Sequence, residues 1–184
     1  LEWTIELFGK NKKGFITFPT KFDNVQPLLG LNHRGRTIVR MSVNPKEIIR
    51  KVEFGTSPLE NRIAALNDMC EAGYKIGLLI APVVMVENWK DLYLELLDTL
   101  QEKLSGKVKK EMFIEIIFMT YSYVHRAINN EAFPNAIELY DKSIMTGRGK
   151  GKYWYNQEAR EDGELFLRSE IGRRFPDTEI IYVV

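Results

Sequence analysis

Four stretches of this chain are apolar at nearly every position, and the stretches between them carry apolar residues at helical spacing. The apolar runs are "GFITFPT" (14–20), "RTIVRMSVN" (36–44), "KIGLLIAPVVM" (75–85) and "EMFIEIIFMT" (111–120). Each is rich in Ile, Val, Phe or Met and too short for a typical helix, so each is expected to be a buried strand. Between them, "SPLENRIAALNDMCEAG" (57–73) places Leu59, Ile63, Leu66 and Cys70 on one helical stripe. Ser57 stands as its expected N-cap with Pro58 and Glu60 behind it, and Gly73 as its stop. "NWKDLYLELLDTLQEKLSG" (88–106) reads as a second helix from Asn88 to Gly106.

Strands alternating with helices of this length predict βαβ crossovers and a parallel α/β sheet, the four strands adjacent in chain order with helices on the outer face. Four strands are too few for an eight-stranded barrel and suit an open sheet or half of a barrel. After Thr120 the pattern changes. "YSYVHRAINNEAFPNAIELYDK" (121–142) reads as helical with a break at Pro134. "NQEAREDGELFLRSEIGRRF" (156–175) reads as a helix and "TEIIYVV" (178–184) as a closing strand. The expected organisation is one domain over 1–184 with a C-terminal appendage.

Composition narrows the chemistry. With 45% hydrophobic residues a chain of 184 can bury a core, and a net charge of +1 gives no global pull toward nucleic acid or membrane. A single cysteine, Cys70, excludes an internal disulfide and favours a reducing, cytoplasmic setting. No apolar run approaches a membrane span. The start, "LEWTIELFGKNKKG", reads as a folded helix; lacking an initiator Met, the chain is expected to begin inside a larger protein.

His33, His125 and Cys70 have no zinc-ligand spacing, and Cys70 on its helix stripe reads as a buried small hydrophobe. Polar residues at the carboxyl ends of the strands are better candidates, since parallel α/β folds bind ligands there. They are Lys21, Ser42, Asn44 and Thr120, while Glu115, inside the fourth strand, needs a buried partner such as an arginine. "MTGRGKGKYWY" (145–155) has the composition of a phosphate loop but not its spacing, because Tyr153 follows Lys152 where a Ser or Thr is required. A hairpin is expected over residues 143–155, turning at Gly149–Gly151, with Arg148 and Lys150 near the tip and no acid nearby. A solvated turn and a nucleic-acid contact weigh equally there on composition.

"TKFDNVQPLL", the "SVN" strand end, "FGTSPLENRI" and "AGYKIGLLIAP" together resemble the second half of the spore photoproduct lyase family, a branch of the radical S-adenosylmethionine enzymes. The resemblance runs from about Phe15 to the end of the chain and weakens after Val86. It implies the C-terminal half of a partial TIM-type (β/α)6 barrel, with a β-hairpin and helix after it. The implied activity is a DNA-repair lyase that reverses a thymine-dimer photoproduct through a 5′-deoxyadenosyl radical. Implied cofactors are S-adenosylmethionine and a 4Fe–4S cluster whose three-cysteine motif lies outside this chain, so the chain alone is expected to be inactive. Lys21 matches a lysine that reaches cofactor and substrate, Ser42 and Asn44 match residues that bind S-adenosylmethionine, and Arg148 matches the arginine of a lesion-inserting hairpin. A tyrosine follows that arginine in family members from bacilli; here Gly149 does, and the nearest ring is Tyr153 across the turn. A His-Arg pair expected after the last barrel strand is replaced by "MTYSYVHRA". A related radical enzyme with another substrate, or a non-catalytic nucleic-acid-binding module, are the alternative readings.

Overall fold

A computed structural model describes residues 1–11, 13–134 and 136–184. Lys12 and Asn135, each inside a stretch read as helical, lie outside the described residues. The elements run α1 (Glu2–Lys10), β1 (Ile16–Thr20), α2 (Gln26–Leu29), β2 (Thr37–Val43), α3 (Lys46–Val52), α4 (Leu59–Glu71), β3 (Lys75–Val83) and α5 (Trp89–Lys103). They continue with α6 (Gly106–Glu111), β4 (Phe113–Phe118), β5 (Thr120–Ser122), α7 (Tyr123–Ala132), β6 (Met145–Gly149), β7 (Lys152–Tyr155), α8 (Gln157–Arg174) and β8 (Ile180–Val183).

The four apolar runs become β1 to β4, side by side in chain order and all parallel. β8 adds as a fifth parallel strand beside β4. Alternation divides the sheet into two faces. Val39, Met41, Val43, Ile76, Leu78, Ile80, Ile114 and Ile116 are buried in one cluster with Leu66 and Met69 of α4 and Leu96 and Leu97 of α5. Burial of each such side chain contributes about 1.5–3 kcal/mol, an upper figure because unfolded chains already bury some of it. Leu79 and Ala81 are also buried but stand outside that cluster, on the opposite face.

On that second face Arg40 of β2 reaches across β3 to Glu115 of β4, with both carboxylate oxygens 3.3 Å from Nη1. Glu115 is therefore a structural acid paired with an arginine. The crossing needs Gly77, where an added Cβ would lie 2.6 Å from the Phe113 ring and 3.0 Å from Cγ of Arg40. Another close approach docks α1: a Cβ on Gly9 would lie 2.0 Å from the backbone oxygen of Asn32. At the sheet's outer edge, Ile16 N–H bonds the oxygen of Arg36 at 3.0 Å, so the N–H positions of Thr17 and Pro19 point away from β2.

Several local expectations change. Ser57 does not cap α4; its hydroxyl donates to Asp23 at 2.7 Å and accepts from the Asp23 N–H at 3.0 Å. The helix from Asn88 stops at Lys103 rather than Gly106, because Ser105 caps a new helix, α6, accepting from Val108 N–H at 3.2 Å. Of the stretch read as helical from Tyr121, the helix covers Tyr123–Ala132; Tyr121 and Ser122 are drawn into β5, and 137–142 is irregular. Gly73, at φ 86°, does end α4. Asn156 caps α8 by accepting from Ala159 N–H at 2.9 Å. His33 is a turn residue: its ring stacks on Tyr74 at 3.8 Å, Nδ1 accepts from Gly35 N–H and Nε2 faces the oxygen of Ala72. Cys70 is fully buried, and burial pushes its thiol pKa up.

Candidate functional site

At the carboxyl edge of the sheet the chain leaves β1 at Lys21 and β2 at Asn44, and these ends converge beside Ala81, near the end of β3. The Lys21 ammonium donates to the carbonyl of Ala81 at 3.2 Å, and the Ser42 hydroxyl donates to the same oxygen at 2.8 Å. Lys21 also bonds the carboxylate of Glu53, as does the Asn44 amide at 2.7 Å. The other Asn44 end accepts from the Tyr93 hydroxyl at 2.9 Å. Thus Lys21, Ser42 and Asn44 share acceptors within one cluster. Their accessibility differs: the Lys21 side chain is 30% exposed, whereas Ser42 and Asn44 are closed off. Asn44 holds Glu53 and Tyr93 in place, and Lys21 is the one of the three with a partly exposed side chain.

The centre of the cluster is a pair that the sequence did not single out, Glu53 and Arg62. Arg62 is fully buried, with its guanidinium 2.8 Å from Glu53 Oε2. It donates to the oxygens of Ser57 (2.7 Å) and Ser42 (3.1 Å) and to the Thr56 hydroxyl (2.6 Å). A signal existed: Arg62 falls three residues after Leu59 and four before Leu66, inside the apolar arc of α4, and a charge there requires buried partners. Burial pushes the Glu53 pKa up, but bonds from Lys21 and Asn44 and the charges of Lys21 and Arg62 outweigh it, so the net shift is downward. A carboxylate with a depressed folded pKa contributes stability in full above its ordinary value of 4.5 and loses it as pH falls through the folded value. Urea midpoints of the wild type and Glu53→Gln should therefore differ most near neutrality, and the gap should close on acidification. A gap independent of pH would mean that Glu53 is not the charge that matters.

The second candidate is the hairpin. β6 and β7 pair antiparallel, and β5 adds to β7, giving a three-stranded sheet. The tip is the two-residue loop Lys150–Gly151, with φ of 52° and 69°, the paired positive values of a type I′ turn. Gly149 thus pairs with Lys152 instead of lying in the turn. Arg148 is a bulge residue, between the pairs Gly147–Tyr153 and Gly149–Lys152. Its guanidinium lies over the Trp154 ring, Cζ 3.9 Å from the centroid. Tyr153 is on the other face, packed edge-on to Tyr123 at 4.9 Å and Tyr140 at 5.0 Å. Tyr121 stacks on Tyr140 and donates to Glu138 at 3.0 Å; burial and that carboxylate push its phenol up to about 12. The hairpin base is fixed by the buried Tyr155, whose hydroxyl accepts from Met85 N–H at 2.8 Å. Arg148 and Lys150 therefore sit together at the exposed end, and Tyr153 does not join them.

The family model described as spore photoproduct lyase matches residues 1–184. The chain belongs to the spore photoproduct lyase family. It is 32% identical to the spore photoproduct lyase of Clostridium acetobutylicum and 33% identical to that of Bacillus subtilis, over 100% and 99% of this chain but 55% and 54% of those proteins. The chain thus spans about half the length of these lyases. A solved spore photoproduct lyase mutant with bound AdoMet and dinucleoside spore photoproduct superposes with a TM-score of 0.92 at 29% identity, over all of this chain and 55% of that one. Another is complexed with the dinucleoside spore photoproduct, also at 0.92. The parallel five-stranded α/β sheet is the fold of spore photoproduct lyase over this half. No helix among the described residues is long and apolar enough to cross a membrane.

Proposed function

We propose that this chain is the carboxyl-side half of a radical S-adenosylmethionine lyase that repairs a thymine-dimer photoproduct in DNA, working in the cytoplasm. The observation that carries the reading is the close superposition on a lyase holding both AdoMet and the dinucleoside photoproduct. In this reading β1 to β4 and β8 form half of a partial barrel, and the cleft at their carboxyl edge takes S-adenosylmethionine. Lys21 fits that group, with a partly exposed ammonium suited to the methionyl carboxylate. The Ser42 hydroxyl is buried and spent on the Ala81 oxygen, so Ser42, like Asn44 on Glu53, shapes the strand ends behind Lys21. When bound, the cofactor supplies the radical chemistry of the family; the residues here bind and orient it.

A four-iron cluster does not fit this chain. Among the described residues no group of three His, Cys, Asp or Glu could hold a metal, and the one cysteine is buried. Its thiolates belong outside these residues, and the chain alone is expected to be inactive. One observation favours a second reading, a related radical enzyme with another lesion: Lys150 and Gly151 make the tip and Tyr153 turns away, so Trp154 is the ring beside Arg148.

Arg148, Lys150 and Lys152 have no ion-pair partner among the described residues, which leaves their charge for phosphate. In the intact protein Arg148→Ala should weaken DNA binding and flatten its log–log salt dependence by roughly one unit, leaving S-adenosylmethionine binding unchanged. Filter binding at increasing salt reads this out. Overlapping wild-type and Arg148→Ala curves would remove the hairpin from the DNA interface.

A further inference from the structure

On the side of the hairpin away from Tyr153, a cavity of about 330 Å³ is lined by Thr120, Arg148, Trp154 and Arg160, with Phe118, Tyr155 and Val184 completing it. No Asp or Glu side chain is among its lining residues. Trp154 pairs across the sheets with both Thr120 and Thr146, which fixes its indole on this face. Arg148 covers the ring and makes no ion pair among the described residues; Arg160 donates to the oxygen of Val183 at 3.3 Å. Two guanidinium groups with unused donors therefore line one cavity with an aromatic ring and a small hydroxyl.

We infer that this cavity is a subsite for a single unpaired nucleotide, the base against the Trp154 indole and its phosphate on Arg148 and Arg160. The inference rests on the reading that the hairpin faces DNA, and it names the part of DNA that this face takes. An indole stacks any base through its π-face, which a base inside the duplex stack cannot offer. A planar guanidinium fork matches phosphate oxygens, and two such forks with no carboxylate between them suit an anion. The resting contact of Arg148 with Trp154 is exposed and weak, whereas charge-assisted bonds to phosphate are strong. Arrival of the phosphate draws the guanidinium off the ring and uncovers the stacking surface. The glycines on either side, Gly147 and Gly149, leave room for that swing.

The test uses the intact protein and two fluorescein-labelled duplexes, one fully paired and one identical except for a single unpaired thymine. Anisotropy titrations should show Trp154→Ala weakening the unpaired-thymine duplex roughly five- to a hundredfold, the range for one base on one ring, with its salt slope unchanged. The paired duplex should bind as before, and Trp154→Phe should retain the preference. If Trp154→Ala discriminates between the duplexes as the wild type does, while Arg148→Ala still flattens the salt slope, the subsite is overturned and the DNA-facing hairpin stands. If the wild type binds neither duplex in a salt-dependent way, both fall. Should Trp154→Ala fail to fold, Trp154→Phe is set against Trp154→Leu, which keeps bulk without a π-face; equal preference in those two overturns the subsite.

Discussion

Replacing Arg62 by alanine is expected to destabilise the protein by about 3–5 kcal/mol, the range for removing one partner of a buried ion pair. The buried guanidinium bonds the oxygens of Ser57 and Ser42 and the Thr56 hydroxyl while facing Glu53. Its removal takes a donor from each of these acceptors at once and leaves Lys21 as the one cation paired with Glu53 among the described residues. The melting temperature should fall by roughly 6–20 °C at about 2–4 °C per kcal/mol. Arg62→Lys should rescue little, because a point ammonium cannot reach acceptors spread around a planar fork. Thermal melts of the wild type and both variants decide this; a lysine variant as stable as the wild type would show that charge alone, and not the fork, matters.

Lys21→Met is expected to act on affinity more than on the fold. In the intact protein it should raise the dissociation constant for S-adenosylmethionine roughly tenfold or more, the equivalent of one charged hydrogen bond of about 1.5–3 kcal/mol. Asn44→Ala is the control with the opposite signature. Asn44 is closed off and joins Glu53 to Tyr93, so its loss should lower stability, with affinity following only as Glu53 shifts. Calorimetric titration together with urea unfolding separates the two. Unchanged affinity in Lys21→Met would refute a cofactor role for this ammonium.

The sheet was readable because its signal is local: runs of β-branched and apolar residues between capped amphipathic helices leave few alternatives to parallel strands in chain order. β5 escaped because Tyr121 and Ser122 become strand only by pairing with Tyr153 and Lys152, thirty or more residues on, and tertiary pairing overrode helical propensity. Ser57 and Ser105 show the same limit at helix ends. Both are good caps by residue type, but Asp23 engages the Ser57 hydroxyl, while Ser105 opens a helix of its own. At the site, Lys21, Ser42 and Asn44 could be placed from strand ends. That they meet on Glu53 and Ala81 follows from β1, β2 and β3 being neighbours, which no single stretch records. Gly77 is likewise silent in the sequence, since its meaning is the passage of Arg40 over β3 toward Glu115.

The outer rim of β1 has a consequence for association. With Pro19 directed away from β2, that rim lacks a backbone donor where the neighbouring position, Thr17, supplies one. A strand laid along it, whether from a longer version of this polypeptide or from a second molecule, can be anchored at Thr17 but finds no partner for its carbonyl opposite Pro19. Indiscriminate edge-to-edge growth is thereby discouraged, because a sliding strand always meets the gap. A strand with a bend or a side chain to set against Pro19 is accommodated, so one proline acts as a filter on which neighbour this sheet accepts.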